Sequence, residues 1–204
     1  MTRYAMVIDK RRCIGCQSCT VACRTWNNLP MDIIYNPVVS EGVQGKWPNV
    51  HQTFTPLLCN HCQNPPCVIC CPCKATFQDD DGIVWVDPNK CMGCKFCVQN
   101  CPYGARDVSA APEEGFARKC TFCKDRVRTA ELPPDQRPEG WKPEDALPYC
   151  VNTCHQKARI FGDLDDPDSE VSKLVNGNTT TRLFTELGTD PQVYYIEENG
   201  GSVK

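Results

Sequence analysis

The apolar residues of the chain fall in short runs that are bounded by Gly, Pro, Asp and Cys. Residues 4–8 form one β-prone run, and residues 75–77 and 83–86 form two more on either side of an Asp-Asp-Gly sequence. Because Asp and Gly favour turns between β-prone runs, the last two predict a β-hairpin. The first run predicts an isolated strand near the start of the chain.

A helical pattern and two more β-prone runs lie in the last quarter of the chain. Residues 159–161 and 192–196 predict strands. Residues 165–169 have the composition of a helix N-terminus, and apolar residues at positions i, i+3 and i+4 from Val171 predict a short amphipathic helix. The mixture of short strands and short helices predicts an α+β fold.

Two long stretches lack a clear period. Residues 28–56 contain scattered apolar residues, and residues 125–149 contain five prolines among charged residues. Both are interpreted as insertions. For residues 125–149, a contact with a partner and a solvated surface excursion are both open.

The composition limits what these elements can build. The chain has 204 residues, including 18 Cys, 17 Pro and 13 Gly, so long regular helices cannot dominate and cysteine has to contribute to stability. The net charge of −3 gives no electrostatic reason to expect nucleic-acid binding. No apolar run approaches the ~18 residues of a membrane span, and the first apolar stretch is too short for a signal peptide. We expect a soluble or peripheral protein without an export signal of its own.

Sixteen of the 18 cysteines fall into four groups. In chain order, the groups are Cys13, Cys16, Cys19 and Cys23; Cys59, Cys62, Cys67 and Cys71; Cys91, Cys94, Cys97 and Cys101; and Cys120, Cys123, Cys150 and Cys154. The first and third groups have the spacing C-x2-C-x2-C-x3-C, whereas the two pairs of the fourth group are 26 residues apart. The third group is followed by Pro102 and matches the bacterial ferredoxin signature in full. The spacing therefore predicts [4Fe–4S] clusters.

Disulfides and zinc are the alternatives to clusters. Disulfides are typical of secreted chains, and bridges across such short loops would restrict the unfolded state little. In the fourth group, four thiolates could instead hold zinc, with His155 as a further candidate ligand. His61, which lies between two cysteines of the second group, is interpreted as a structural or hydrogen-bonding residue.

In the ferredoxin signature the fourth cysteine binds the other cluster of a pair, so the groups should exchange their last cysteines. The chain order suggests a nested pairing, of the second group with the third and of the first with the fourth, and sequential pairing of neighbours is the alternative. A strand, a cysteine loop and a short helix after the last cysteine would form a ferredoxin-like module, used twice. Cys70 and Cys73 remain outside the groups, and Cys71 is preferred as a ligand because Pro72 follows it at the expected spacing.

Several sequence segments together resemble a known family. They are CIGCQSCTVAC at 13–23, CNHCQNPPC at 59–67, CMGCKFCVQNCPYG at 91–104, KCTFC at 119–123, FGDLDDP at 161–167 and GTDPQVYY at 188–195. These segments resemble the four-cluster electron-transfer subunit of the dimethyl sulfoxide reductase family. The likeness extends from residue 4 to about residue 196.

The resemblance implies a nested exchange of ligands and four [4Fe–4S] clusters. The implied ligand sets are Cys13, Cys16, Cys19 and Cys154 for the first cluster; Cys59, Cys62, Cys67 and Cys101 for the second; Cys91, Cys94, Cys97 and Cys71 for the third; and Cys120, Cys123, Cys150 and Cys23 for the fourth. An outer ferredoxin-like module would comprise residues 1–56 and 106–165, with residues 125–149 as an insertion. Residues 57–105 would form the inner module, and residues 166–204 a tail docking on a module or a partner.

The resemblance also implies partners. They are a large catalytic subunit that carries a molybdenum or tungsten bis-pterin, and in many members a membrane anchor subunit. The chain carries no catalytic motif of its own, so we expect a non-catalytic subunit. A free-standing polyferredoxin shuttle and a Cys-rich zinc structural protein are the alternatives. Export with a partner is common in such families, which favours the periplasmic face and leaves the cytoplasm open. Basic residues beside the cysteines, among them Lys95, Lys119 and Arg126, are predicted to raise the cluster potentials, with ordinary surface charge as the alternative.

Two features of the chain depart from the family pattern. The gap inside the fourth group is longer than usual, and His155 stands where Pro is expected. The resemblance therefore implies the four ligands of the fourth cluster, but it does not extend to the environment of that cluster.

Overall fold

The computed structural model describes residues 2–110 and 115–197 of the chain. The remaining positions of the predicted outer module and tail, which are residues 1, 111–114 and 198–204, lie outside the described residues. The described part combines short strands, short helices and long connecting loops. This confirms the predicted α+β class.

A four-stranded sheet joins segments that are far apart in the sequence. Strand β1 (Tyr4–Asp9) pairs antiparallel with β8 (Arg159–Asp163) and parallel with β10 (Val193–Ile196). Strand β9 (Thr180–Thr181) pairs with the other side of β10, so the order is β8-β1-β10-β9. The strands predicted at residues 4–8, 159–161 and 192–196 are thus confirmed.

The two faces of this sheet serve different parts of the molecule. Because side chains alternate along a strand, Met6 and Ile8 lie on one face of β1, packed with Phe161, Tyr195 and several cysteines. The other face packs against α6 (Glu170–Gly177), the helix predicted from the apolar spacing. The sheet is therefore a partition between the cysteine-rich interior and this helix.

Three two-stranded hairpins complete the strands. They are β2–β3 (Val38–Lys46, Asn49–Pro56), β4–β5 (Thr76–Gln78, Val84–Val86) and β6–β7 (Asp107–Val108, Ala117–Arg118). The β4–β5 hairpin was predicted from the sequence. The β2–β3 hairpin was not, because nearly all of β2 is exposed and its ladder shifts register between Ser40 and Val43, so no apolar alternation marks it.

Four helices carry the third cysteine of each group. They are α1 (Ser18–Trp26), α2 (Pro66–Ile69), α3 (Phe96–Gln99) and α5 (Tyr149–Asn152). Helix α1 packs against α5, and α2 packs against α3. The prediction of a helix after the last cysteine is wrong, because α1 contains that cysteine and the other three helices end before it. In the second and third groups, Pro72 and Pro102 follow the last cysteine and prevent a helix from continuing through it.

The stretch 125–149 is irregular, as its prolines predict. It contains the end of α4 (Lys124–Val127) and three 3₁₀ turns at Arg128–Glu131, Pro134–Gln136 and Pro143–Ala146. Arg128 bonds both Asp79 and Asp81 in the β4–β5 turn, at 2.6 and 2.7 Å. The stretch is therefore fastened to the body of the protein at its start. In the part of the chain that the structure describes, no helix has the length and apolar character to cross a membrane.

Candidate metal centres

Three cavities are each lined by four cysteines. The quartets are Cys13, Cys16, Cys19 and Cys154; Cys59, Cys62, Cys67 and Cys101; and Cys23, Cys120, Cys123 and Cys150. The cavities contain about 380, 330 and 310 Å³ of unfilled space, respectively, part of it open to solvent. Each quartet combines three cysteines of one group with the last cysteine of another.

The structure also brings members of the remaining predicted quartet close to the second one. Cys91 and Cys97 pack with Cys67 around Val84. Cys97 also interacts electrostatically with Cys70, the residue before Cys71. The third quartet would therefore border the second across the contact between α2 and α3.

The quartets surround space and do not meet at a point. Within residues 2–110 and 115–197, no three His, Cys, Asp or Glu side chains are close enough together to hold one metal ion. A zinc ion binds four thiolates at about 2.3 Å and needs no cavity between them. A polynuclear cluster does need space between its ligands, so cavities lined by cysteine quartets suit an iron–sulfur cluster better than a single zinc ion. His155 is exposed and does not line the cavity of the fourth-group cysteines.

One turn recurs after the last cysteine of three groups. Three positions after Cys71, Cys101 and Cys154, the backbone has a positive φ of 51°, 58° and 48°, respectively. The next amide then faces the sulfur, as in the bond from Ala158 N to Cys154 Sγ at 3.2 Å. Amide bonds of this kind stabilise a thiolate and help to set the potential of a cluster.

The recurrent turn distinguishes Cys71 from Cys70 and Cys73, the two cysteines outside the groups. The sulfur of Cys71 accepts from the amide of Thr76 at 3.4 Å. Cys70 Sγ lies 3.7 Å from the carbonyl oxygen of Cys67 instead, and Cys73 Sγ lies 3.8 Å from Cys71 Sγ. Of the three, Cys71 alone lies at the start of the turn that recurs at Cys101 and Cys154.

The loops of the first and third groups share a second backbone feature. Gly15 and Gln17 have φ of 69° and 61°, and Gly93 and Lys95 have φ of 68° and 61°. These left-handed residues alternate with the cysteines, so the chain curls and the sulfurs can face one side. Lys95 therefore has a backbone role, and its side chain is exposed.

Burial raises the pKa of half of the sixteen grouped thiols. It raises the pKa of Cys23 and Cys62 to about 12, and that of Cys67 and Cys123 to about 11. A thiolate in such surroundings needs a positive partner, and a bound iron atom is one. The binding of iron would therefore release protons from these residues.

Three cations are buried among the quartets. Arg106, Lys119 and Arg159 each have only 2% of their surface exposed. Among the described residues, the three guanidinium nitrogens of Arg159 and one terminal nitrogen of Arg106 lack an oxygen or nitrogen acceptor, and the two side chains face the sulfurs of Cys150 and Cys97, respectively. A buried charge is costly unless a counter-charge is close, and a [4Fe–4S] cluster with four thiolates is an anion. The residues of these sites therefore fit such clusters.

Sequence reasoning found only part of this electrostatic environment. Lys119 was predicted, whereas Arg106 and Arg159 were missed. Each follows the last cysteine of its group by five positions, as C-x4-R, and this shared spacing is the signal that could have identified them. Arg126 lies near Cys123, but it is half-buried, stacks on the Tyr149 ring and bonds carbonyl groups of the insertion.

His61 is a buried packing residue beside the second quartet. Its Nδ1 accepts a hydrogen bond from the amide of Val84 at 3.1 Å, and its ring stacks on Phe122 with the ring centroids 3.8 Å apart. Burial lowers the pKa of His61, so its imidazole is neutral at neutral pH. This agrees with the predicted structural role.

Known proteins are similar in sequence to this chain along almost its whole length. A family model described as a 4Fe-4S dicluster domain matches residues 50–137. The chain is 43% identical to a putative dimethyl sulfoxide reductase iron-sulfur subunit of Halobacterium salinarum, over 96% of this chain and 79% of that protein. It is 44% identical to a tetrathionate reductase subunit of Salmonella typhimurium (95% and 72% covered) and 38% identical to a selenate reductase subunit of Mesobacillus selenatarsenatis (95% and 72%). The chain therefore belongs to the [4Fe–4S] electron-transfer (beta) subunits of the molybdopterin oxidoreductases.

Proposed function

We propose that the sixteen grouped cysteines hold four [4Fe–4S] clusters and that the chain relays electrons between two partners. One partner is a catalytic subunit with a molybdenum or tungsten pterin, and the other is a membrane quinone-reactive subunit or a soluble redox protein. The observation that carries the proposal is the set of cavities lined by exchanged cysteine quartets beside buried arginines, whose guanidinium groups lack a full set of oxygen or nitrogen acceptors among the described residues. The clusters would supply one-electron transfer, and the protein would supply ligands, counter-charges and shielding from water.

The proposed ligands are the nested sets. The cavity linings support them for the first, second and fourth clusters. For the third cluster, Cys91, Cys94 and Cys97 would be joined by Cys71, and the turn that follows Cys71 supports this choice. The first and fourth sites would form the outer ferredoxin-like module, and the second and third the inner one.

Contacts between quartets support a linear order of the four sites. Cys19 of the first site and Cys150 of the fourth interact electrostatically. Cys120 of the fourth site and Cys59 of the second do the same. Since the second and third sites meet at Val84, the proposed order is first, fourth, second, third.

The two ends of this order carry exposed apolar side chains. Ile14 and Val21, beside the first site, are 58% and 62% exposed. Ile69 and Met92, beside the third site, are 82% and 66% exposed. Apolar surface of this kind is typical of protein contacts, so one partner is proposed at each end. The compartment is a separate proposal: the assembly would lie on the periplasmic face, exported with its partner. The same surface favours a docked subunit over a free shuttle.

Iron and acid-labile sulfide analysis of the purified chain tests the cluster proposal. Four cubes require about sixteen of each per chain. A preparation that holds zinc and fewer than about four irons would contradict it. Expression with and without a co-expressed catalytic subunit tests the docking, because a monomer that is soluble and stable alone would favour the shuttle.

The nested exchange has its own test in Cys101→Ser. The variant should alter the electron paramagnetic resonance (EPR) signal of the cluster held by Cys59, Cys62 and Cys67. The signal of the cluster held by the other cysteines of the third group should remain. Cys73→Ser is the matched control, because Cys73 lies outside the proposed ligand sets. Loss of the third-group signal instead would show that ligands stay within their own groups.

A further inference from the structure

Two buried arginines occupy equivalent places in two copies of the recurrent turn. Arg106 follows Cys101 by five positions, and Arg159 follows Cys154 by five. In both copies, the residue between them that faces the sulfur through its amide is an alanine. Each arginine therefore directly follows the residue whose amide faces the sulfur.

Each arginine is buried without a full set of partners. Within the described ranges, the guanidinium of Arg159 lacks an oxygen or nitrogen acceptor, and it faces the sulfur of Cys150. Arg106 donates from one nitrogen to Thr76 Oγ1 at 3.1 Å and faces the sulfur of Cys97, and another of its nitrogens lacks an oxygen or nitrogen acceptor in the described part of the chain. A guanidinium keeps its proton in a protein, so both positions hold a permanent positive charge. Such a charge in a protein interior calls for an anion.

Each arginine faces two cysteine quartets. Arg159 lines the cavity that contains Cys13 and Cys154, and it also interacts with Cys150 and Cys120 of the fourth site. Arg106 lines the cavity of the second site and interacts with Cys97 of the third. One guanidinium therefore lies between the two sites of each proposed module.

We infer that Arg159 and Arg106 are positioning residues that raise the reduction potentials of the two clusters in their module, each as a counter-charge shared by both. This inference rests on the proposed ligand sets. When one electron from a redox partner enters a site, that site gains one negative charge and no proton has to move. A permanent positive charge in a medium of low dielectric constant stabilises the reduced state of both neighbours. The first and fourth clusters would share Arg159, and the second and third would share Arg106.

Lys119, the third buried cation, differs from the two arginines in its position relative to the cysteine quartets. It lies between the proposed modules and interacts electrostatically with Cys59 of the second site and Cys120 of the fourth. Its charge would therefore act on one cluster of each module, whereas each arginine faces both sites of one module.

Redox titration followed by EPR tests the inference on the cluster-loaded protein. Signals are first assigned with the cysteine variants. Arg159→Gln should lower the equilibrium constant for one-electron reduction of the first and fourth clusters at least tenfold, which corresponds to a reduction potential lower by 59 mV. The second and third clusters should keep their potentials. Arg106→Gln should give the opposite pattern, and Arg159→Lys and Arg106→Lys should restore most of the shift.

Arg12→Gln is the matched control. Arg12 directly precedes Cys13 but is exposed, so solvent screens its charge and no cluster should shift tenfold. Retention of iron in the Lys variants but not in the Gln variants would also support the inference, because that pair isolates the charge. Three redox results would overturn the inference: unchanged potentials in Arg159→Gln, equal shifts in all four clusters, or a shift as large in Arg12→Gln. Loss of iron in both the Gln and the Lys variants would also overturn it. Failure of the cluster proposal itself would be distinguishable, because the unmodified chain would then lack iron and sulfide.

Discussion

Gly93→Ala should remove the third cluster and leave the other three in place. Gly93 lies between Cys91 and Cys94 with a φ of 68°. A Cβ added there would come closer than 3.0 Å to the carbonyl oxygen of Gly115. That oxygen belongs to backbone just before Ala117, whose amide donates to Cys91 Sγ at 3.3 Å. The substitution therefore strains the loop and displaces a donor to one of its sulfurs.

The magnitude follows from two contributions. Placing alanine in a left-handed conformation costs about 1–2 kcal/mol. A carbon and a carbonyl oxygen normally stay at least ~3.3 Å apart, so the overlap is about 1 Å, and overpacking of this kind costs about 1–3 kcal/mol. The combined local cost of about 2–5 kcal/mol is large beside the marginal stability of a protein. We expect the loop to shift and the site to lose its cluster.

Gly104→Ala separates the two contributions. Gly104 has a φ of 58°, but a Cβ there would meet nothing within 4 Å. Lys74 and Lys157 already adopt this conformation at the equivalent position of the other turns. This variant should keep all four clusters at a cost of about 1–2 kcal/mol.

Iron and sulfide content, EPR spectra and the melting temperature are the measurements. Gly93→Ala should hold about twelve irons per chain, against about sixteen for Gly104→Ala. If both variants hold the same iron and melt at the same temperature, the steric reasoning is wrong.

Three further predictions concern ligand choice and stability. Cys71→Ser should lose the third-cluster EPR signal, whereas Cys70→Ser and Cys73→Ser should keep it; equal iron loss in all three would refute the choice of ligand. Ser169→Ala should lower the melting temperature of the loaded protein by about 2–4 °C, because Ser169 caps α6 and such a cap is worth about 1 kcal/mol; a change below 1 °C would contradict this. Arg128→Gln should speed protease cleavage within residues 129–147 without altering iron content, because it releases the stretch from the β4–β5 turn; unchanged cleavage would show that other contacts hold it.

The sequence predicted the strands that are apolar and buried along their length, such as β1, and missed the largely exposed β2. Strand β1 could be predicted because its residues are apolar, and burial in the sheet is the reason. Strand β2 could not be predicted, because nearly all of its residues are exposed and most of them are polar or glycine. The parallel pairing of β1 with β10 also lay beyond the sequence, since it depends on packing between segments nearly 190 residues apart.

The candidate site was likewise predicted only in part from the sequence. Cysteine spacing is set by the local loop that must present sulfurs to one cluster, so the groups could be recognised from the sequence. Burial of a cation is decided by distant elements, so Arg106 and Arg159 resembled ordinary charged residues. Conversely, Lys95 was predicted to tune a cluster because of its place in the sequence, but its side chain is exposed.

The position of β1 between β8 and β10 has a consequence for how the protein is made. Residues 4–9 leave the ribosome early, but both strands that flank them lie beyond residue 158. The sheet that shields the cysteine-rich interior can therefore close only after residue 196 has left the ribosome. Residues 57–105 have emerged long before that point, so the inner cysteines must either receive iron during synthesis or wait in an open chain, exposed to oxidation.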